Sequence, residues 1–197
     1  METTKREIRI AELRALDPVE GQEGMLVEGR AIVYDSPTVM FESGGVKYME
    51  VIARGALDGA DMKDVPFKYN HSDAVMVMAR TRNNTLELVP DDQGLLIRAN
   101  LADITAGRDL YALIKRGDID KMSFGFTASE ESYNKDTRTR SITKFKRIWD
   151  VSAVDTPAYS DTSISARSFF EAEAERERKA LESAELRKRL LLRLNHY

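Results

Sequence analysis

The sequence predicts a mainly β protein of the α+β class: an antiparallel sheet closing into a barrel or sandwich, with a flanking helix and a long C-terminal helix. Short segments rich in Val, Ile, Leu, Tyr and Met recur between turn residues from position 25 to 103. A single stretch, 105–117, carries helical periodicity. After Ser168 a run without Gly or Pro, dominated by Glu, Arg, Lys, Ala and Leu, fills the rest of the chain.

Residues 1–24 are mixed in charge and end in a turn-rich stretch around Pro18, Gly21 and Gly24, which reads as a flexible N-terminal segment. The domain proper is expected over 25–160. Its candidate strands are 25–35, 47–53, 67–71, 75–81, 85–89 and 95–103, with reversals marked by Asn83-Asn84 and Asp91-Asp92-Gln93-Gly94. The helix at 105–117 places Leu110, Leu113 and Ile114 on one face, with basic residues in its last turn and Gly117 suited to end it. Two more strands, 121–129 and 141–154, follow on either side of a polar excursion at 130–140. A small polar stretch, 161–168, reads as a hinge. The helix expected over 169–197 carries Phe170, Ala174, Leu181, Ala184 and Leu191 roughly along one stripe. Glu177 and Lys188 interrupt that stripe, so the helix is expected to be solvated or to seek a partner rather than form a coiled coil.

Composition narrows the function. The chain has 197 residues, 42% hydrophobic and 32% charged, which suits one domain with a real core and a charged extension. There is no cysteine, so thiol nucleophiles, thiolate metal sites and disulfides are excluded. A net charge of -3 gives no bulk attraction for nucleic acid. No apolar run approaches the roughly 18 to 20 residues of a spanning helix, and the N-terminus lacks the apolar stretch of a secretory signal, so neither a membrane nor a secretory route is expected.

Only two histidines exist, His71 and the penultimate His196. A histidine base would be His71, at the end of a strand in Tyr69-Asn70-His71-Ser72-Asp73, a position where a lone histidine is otherwise a surface residue. In Lys121-Met122-Ser123-Phe124-Gly125-Phe126, strand alternation sends Met122, Phe124 and Phe126 to the core and leaves Ser123 on the other face beside a glycine. A serine hydroxyl becomes a nucleophile only with a base in hydrogen-bond reach, a role open to His71. The same alternation puts Trp149, Val151 and Ala153 on one face and Asp150 on the other, making Asp150 a candidate to orient the imidazole. Asp73 is the rival. A metal-dependent hydrolase built on His71 and Asp73 is disfavoured by the shortage of ligands, and a non-catalytic scaffolding or assembly protein is the competing class.

An ordered series of motifs settles the preference. Glu50-Val51-Ile52-Ala53-Arg54-Gly55-Ala56-Leu57, Asn70-His71, Ala79-Arg80-Thr81, Gly94-Leu95, the run from Gly117 through Phe126, Trp149-Asp150-Val151-Ser152 and Thr156-Pro157-Ala158-Tyr159 together resemble the prohead maturation proteases of tailed bacteriophages. That family is similar in fold to the herpesvirus assembly proteases. The resemblance implies a closed β-barrel and a serine endopeptidase with Ser123 as nucleophile, His71 as base and Asp150 as the acidic member, where the family more often has Glu. It suggests Arg80 as an aid to the oxyanion. It implies no cofactor and no metal, and action inside the assembling procapsid in the host cytoplasm. The partners it implies are the major capsid protein, that protein's scaffold segment, and the protease itself as a substrate and possible homo-oligomer.

Overall fold

The structure, a computed structural model, describes residues 6–17, 24–155 and 164–194. The segment expected to be a flexible lead-in supplies two strands, β1 (Glu7–Glu12) and β2 (Arg14–Ala15). After β3 (Met25–Val33) comes a hairpin of β4 (Thr38–Ser43) and β5 (Val46–Ile52), then β6 (Pro66–Tyr69), β7 (Ala79–Arg80) and a 3-10 turn at Thr81–Asn83. A hairpin of β8 (Leu86–Asp91) and β9 (Gly94–Leu101), helix α1 (Thr105–Arg116), a long hairpin of β10 (Lys121–Asn134) and β11 (Thr139–Val154), and helix α2 (Ile164–Leu194) complete the chain.

These strands form two sheets, and no sheet closes into a barrel. One runs β1-β10-β11-β5-β4, with β6 added on β11 and β7 on β6; the other runs β2-β3-β9-β8. The expectation of a closed antiparallel barrel is therefore corrected, and β11 gives the reason. With 16 residues it is long enough to hold two strands end to end on the side away from β10. β5 lies beside residues 139–142 and β6 beside 151–153, both parallel to it. The sheet is mixed and ends in β1 and β4. β3 passes β1 without pairing, close enough that a Cβ on Gly29 would lie 2.2 Å from the Glu12 carbonyl oxygen.

The core lies between the sheets, with Val27, Ile32, Leu95 and Ile97 facing Phe124 and Ile148. Leu110 and Ile114 of α1 pack onto it, and Gly117, at φ 87, ends that helix in the left-handed conformation expected of it. β4 was not foreseen, although its turn residues Gly44 and Gly45 have φ of 58 and 78, the two positive values that a type I′ hairpin turn needs. The stretch 130–140, expected as an excursion, continues the β10–β11 hairpin. Of the strand expected at 75–81 only Ala79 and Arg80 pair, because Met76 and Val77 face outward at 66% and 37% exposure.

Four charged residues are buried together where β1, β5 and β11 meet. Arg9 bonds both oxygens of Glu50 at 2.6 Å and one of Glu7 at 2.9 Å; Arg140 bonds both oxygens of Glu7 at 2.7 Å and Glu50 at 3.0 Å. Burial pushes the Glu7 carboxyl up, but the hydrogen bonds and charges of Arg140 and Arg9 outweigh it and hold its pKa down at about 2. Such a cluster adds little net stability over an apolar one, yet losing one member leaves an uncompensated buried charge.

Helix α2 behaves as two halves. Ala166 and Phe170 are fully buried against Tyr48, and Phe169 packs edge-on to Tyr133 at 5.5 Å. From Arg178 to Leu191 every described side chain is exposed, Leu181 at 72% and Leu191 at 61%. Of the hinge expected at 161–168, residues 161–163 lie outside the described residues and 164–168 are helical.

Two outcomes are expected. Because the Glu7 pKa is lower folded than unfolded, its contribution is present above the ordinary carboxyl value of 4.5 and is lost as pH falls from there toward about 2. Denaturant titrations of wild type over that window should show a loss on the order of 3 kcal/mol that Glu7→Gln lacks. Truncation after Lys179 should leave the melting temperature unchanged, whereas truncation after Ser165 removes Phe169 and Phe170 and should cost at least about 3 kcal/mol.

Candidate active site

The site forms on the outer face of the first sheet, opposite the core. Along β10 Met122, Phe124 and Phe126 are fully buried on the inner face, which turns Ser123 and Gly125 outward as their alternation predicts. Register then supplies the neighbours. Ser123 stands across from Ser152 and Gly125 across from Asp150 on β11, while Ile10 and Ile8 of β1 flank them on the other side.

A β-bulge aims Asp150. Gly125 pairs with Asp150 but Phe126 pairs with Ile148, so Trp149 is the extra residue. This corrects the expected alternation. Ile148 and Val151 take the core positions, and Trp149 turns out at 39% exposure, its indole donating to Thr127 Oγ1 at 2.9 Å under the Arg147 guanidinium.

His71 reaches the site because β6 lies on β11. Lys68 and Tyr69 register with Ser152 and Ala153, and the Asn70 N–H donates to the Ala153 carbonyl at 2.9 Å. The chain then reverses through Asn70 and His71, both left-handed at φ 50 and 54, and the Ser72 N–H closes the turn on the Tyr69 carbonyl at 3.0 Å. Asparagine tolerates that conformation, whereas histidine in it is strained by roughly 1–3 kcal/mol. Two contacts offset the strain. The His71 N–H donates to Ser152 Oγ at 3.1 Å, and the ring Nδ1 lies 2.7 Å from Asp150 Oδ2 and 3.2 Å from Ser152 Oγ.

Electrostatics assigns the tautomer. Asp150 is 2% exposed, and its Oδ1 accepts from Arg6 Nη2 at 2.6 Å. Burial pushes the carboxyl up, but the hydrogen bond to His71 and the charges of His71 and Arg6 together hold it below the usual carboxylate range. An ionised carboxylate can only accept, so Nδ1 carries a proton, and in the neutral imidazole Nε2 is the nitrogen that keeps a lone pair. Nε2 and Ser123 Oγ are both buried, and among the described residues neither has a hydrogen-bond partner.

The structure sets His71 against Asp150 and, with Ser123 paired to Ser152, places Ser123 on the same face of the sheet, not bonded to His71; two other candidates are separated from them. Asp73 is ion-paired with Lys68 at 91% side-chain exposure. Arg80 bonds both oxygens of Asp64, at 2.5 and 3.0 Å, and stands three strands from Ser123, roughly 14 Å at ordinary strand spacing. Sequence reasoning missed Ser152 and Arg6. Ser152 was within reach, since it shares a strand face with Asp150 two residues away, but nothing local marks Arg6. Among the described residues no three His, Asp or Glu side chains are grouped to hold a metal ion.

Comparison with known proteins adds two findings. A family model described as the caudovirus prohead serine protease matches residues 10–176. The solved structure of the bacteriophage T4 capsid assembly protease, gp21, matches with a TM-score of 0.52 at 15% identity, covering 78% of this chain and 99% of that one, a likeness of fold. No curated protein sequence matches.

The geometry of the turn leads to one expectation. Ser152→Ala removes the acceptor of the His71 N–H and should destabilise the protein by about 1–3 kcal/mol. Amide exchange that speeds up more at His71 than at the β11 amides is the signature to look for.

Proposed function

The chain belongs to the caudovirus prohead serine protease family, and on that premise we propose that Ser123, His71 and Asp150 form its catalytic triad. The observation that carries the reading is the pair of buried, unpartnered atoms, Ser123 Oγ and His71 Nε2, on a ring whose Nδ1 is already held by Asp150. A buried polar atom without a partner is costly, and a catalytic role is one physical reason to retain it.

The chemistry follows from those roles. Ser123 Oγ attacks the scissile carbonyl carbon while His71 Nε2 takes the hydroxyl proton, and the carbonyl π pair moves onto oxygen. Collapse expels the amine, which receives the proton from Nε2. Water, deprotonated by the same nitrogen, then releases the acyl group and restores the serine. Asp150 holds the tautomer and stabilises the imidazolium between these steps.

The substrates we propose are scaffold segments of the major capsid protein and the protease itself, cut within the procapsid. Membership of a prohead protease family supports the setting. The exposed distal half of α2 supports a role in engaging capsid partners, since none of its described side chains from Arg178 onward is buried.

A fluorophosphonate probe tests the triad without a known peptide substrate. Intact mass should show one adduct, mapped to the peptide containing Ser123, and none with Ser123→Ala or His71→Ala. Asp150→Asn should slow labelling by about 10⁴ through the wrong tautomer. An adduct on Ser152 instead would overturn the assignment.

A further inference from the structure

Asp150 has two carboxylate oxygens, and only Oδ2 serves His71. Oδ1 accepts from Arg6 Nη2 at 2.6 Å, across 144 residues of sequence. Arg6 immediately precedes β1, so the pairing of β1 with β10 carries it to this face. The guanidinium crosses over Gly125. A Cβ built there would lie 2.5 Å from Asp150 Oδ1, 2.8 Å from Arg6 Nε and 3.0 Å from Arg6 Nη2. Backbone conformation does not call for this glycine, because its φ is not positive. A glycine inside a strand without that excuse marks a close approach of other groups, and here the group approaching is the Arg6–Asp150 pair.

The charges around Asp150 point the same way. His71 faces it from the turn after β6, and beside that turn Lys68 and Asp73 neutralise one another. While the imidazole is neutral, Arg6 is, among the described residues, the cation that compensates the buried carboxylate.

We propose that Arg6 is a positioning residue of the catalytic machinery: it holds Asp150 ionised and oriented toward His71, and Gly125 is the space that admits it. This rests on the triad reading above. The N-terminal strand is thereby a working part of the site. A cation beside the Asp150–His71 pair also opposes uptake of a proton by that pair, so its loss moves the pair's titration to higher pH.

The test measures the second-order rate of fluorophosphonate labelling of Ser123 against pH, with melting temperature as control, in Arg6→Met, Arg6→Lys, Gly125→Ala and Asp150→Asn. Arg6→Met should slow labelling by on the order of 10²-fold, as a displaced catalytic group does, and should shift the acid limb to higher pH. Arg6→Lys should restore most of the rate. Gly125→Ala should also slow labelling yet add little to Arg6→Met, because both disturb one contact. If it fails to fold, the two Arg6 variants decide. A wild-type rate and acid limb in Arg6→Met, with Asp150→Asn still damaging, would overturn this inference alone. A wild-type rate in Asp150→Asn would remove the triad reading and Arg6 with it.

Discussion

The site depends on the pairing of one long strand. β11 is bonded to β10 on one side and to β5 and β6, end to end, on the other. The antiparallel pairing sets Ser152 beside Ser123 and Asp150 beside Gly125. The parallel pairing with β6 ends where the chain must turn back over the sheet, and His71 is in that turn. A slip of one residue in the β10–β11 ladder would send Ser123 or Asp150 to the core face. Full burial of Phe124, Phe126, Ile148 and Val151 on that face makes such a slip prohibitive.

The buried charges act on the same frame from the other side of the sheet. Glu7 and Arg9 belong to β1, Glu50 to β5 and Arg140 to β11, so their bonds join the outermost strand to strands it does not pair with. Arg9 also sits over the Phe126 ring at 5.1 Å, tying the charges to the core. A short edge strand would otherwise fray. Held by this cluster on one face, β1 can present Arg6 on the other.

Stability is given up at the site itself. Histidine occupies a left-handed turn position that glycine or asparagine would fill with less strain, a serine hydroxyl and an imidazole nitrogen lie buried without partners, and a strand interior carries a glycine. Each feature departs from what folding alone would favour. Features of each kind occur elsewhere too, at Tyr133 Oη and Glu177 Oε1, at Asp35, Asn84 and Arg138 with positive φ, and at Gly29 inside β3, but here all three meet on neighbouring residues.

Much of this was legible in the chain. The alternation through Lys121-Met122-Ser123-Phe124-Gly125-Phe126 placed Ser123 and Gly125 outward, the only histidine away from the C-terminus is the one that meets Asp150, and α1 ended at Gly117 as its pattern required. These are local properties, because burial on one face writes a period of 2 or 3.6 into the residues themselves. The bulge at Trp149 escaped, since a bulge is defined by the partner strand's residue count. So did the mixed sheet, the parallel seating of β6 and the strand made by residues 7–12. By itself, then, the sequence determined which side chains face the core where no bulge intervenes, and which residues could do chemistry. Only the tertiary structure decided that His71 and Asp150, 79 residues apart, and Arg6 and Asp150, 144 apart, would meet. Strand partners are chosen by burial and hydrogen bonding across the whole sheet, and no short window of sequence contains that choice.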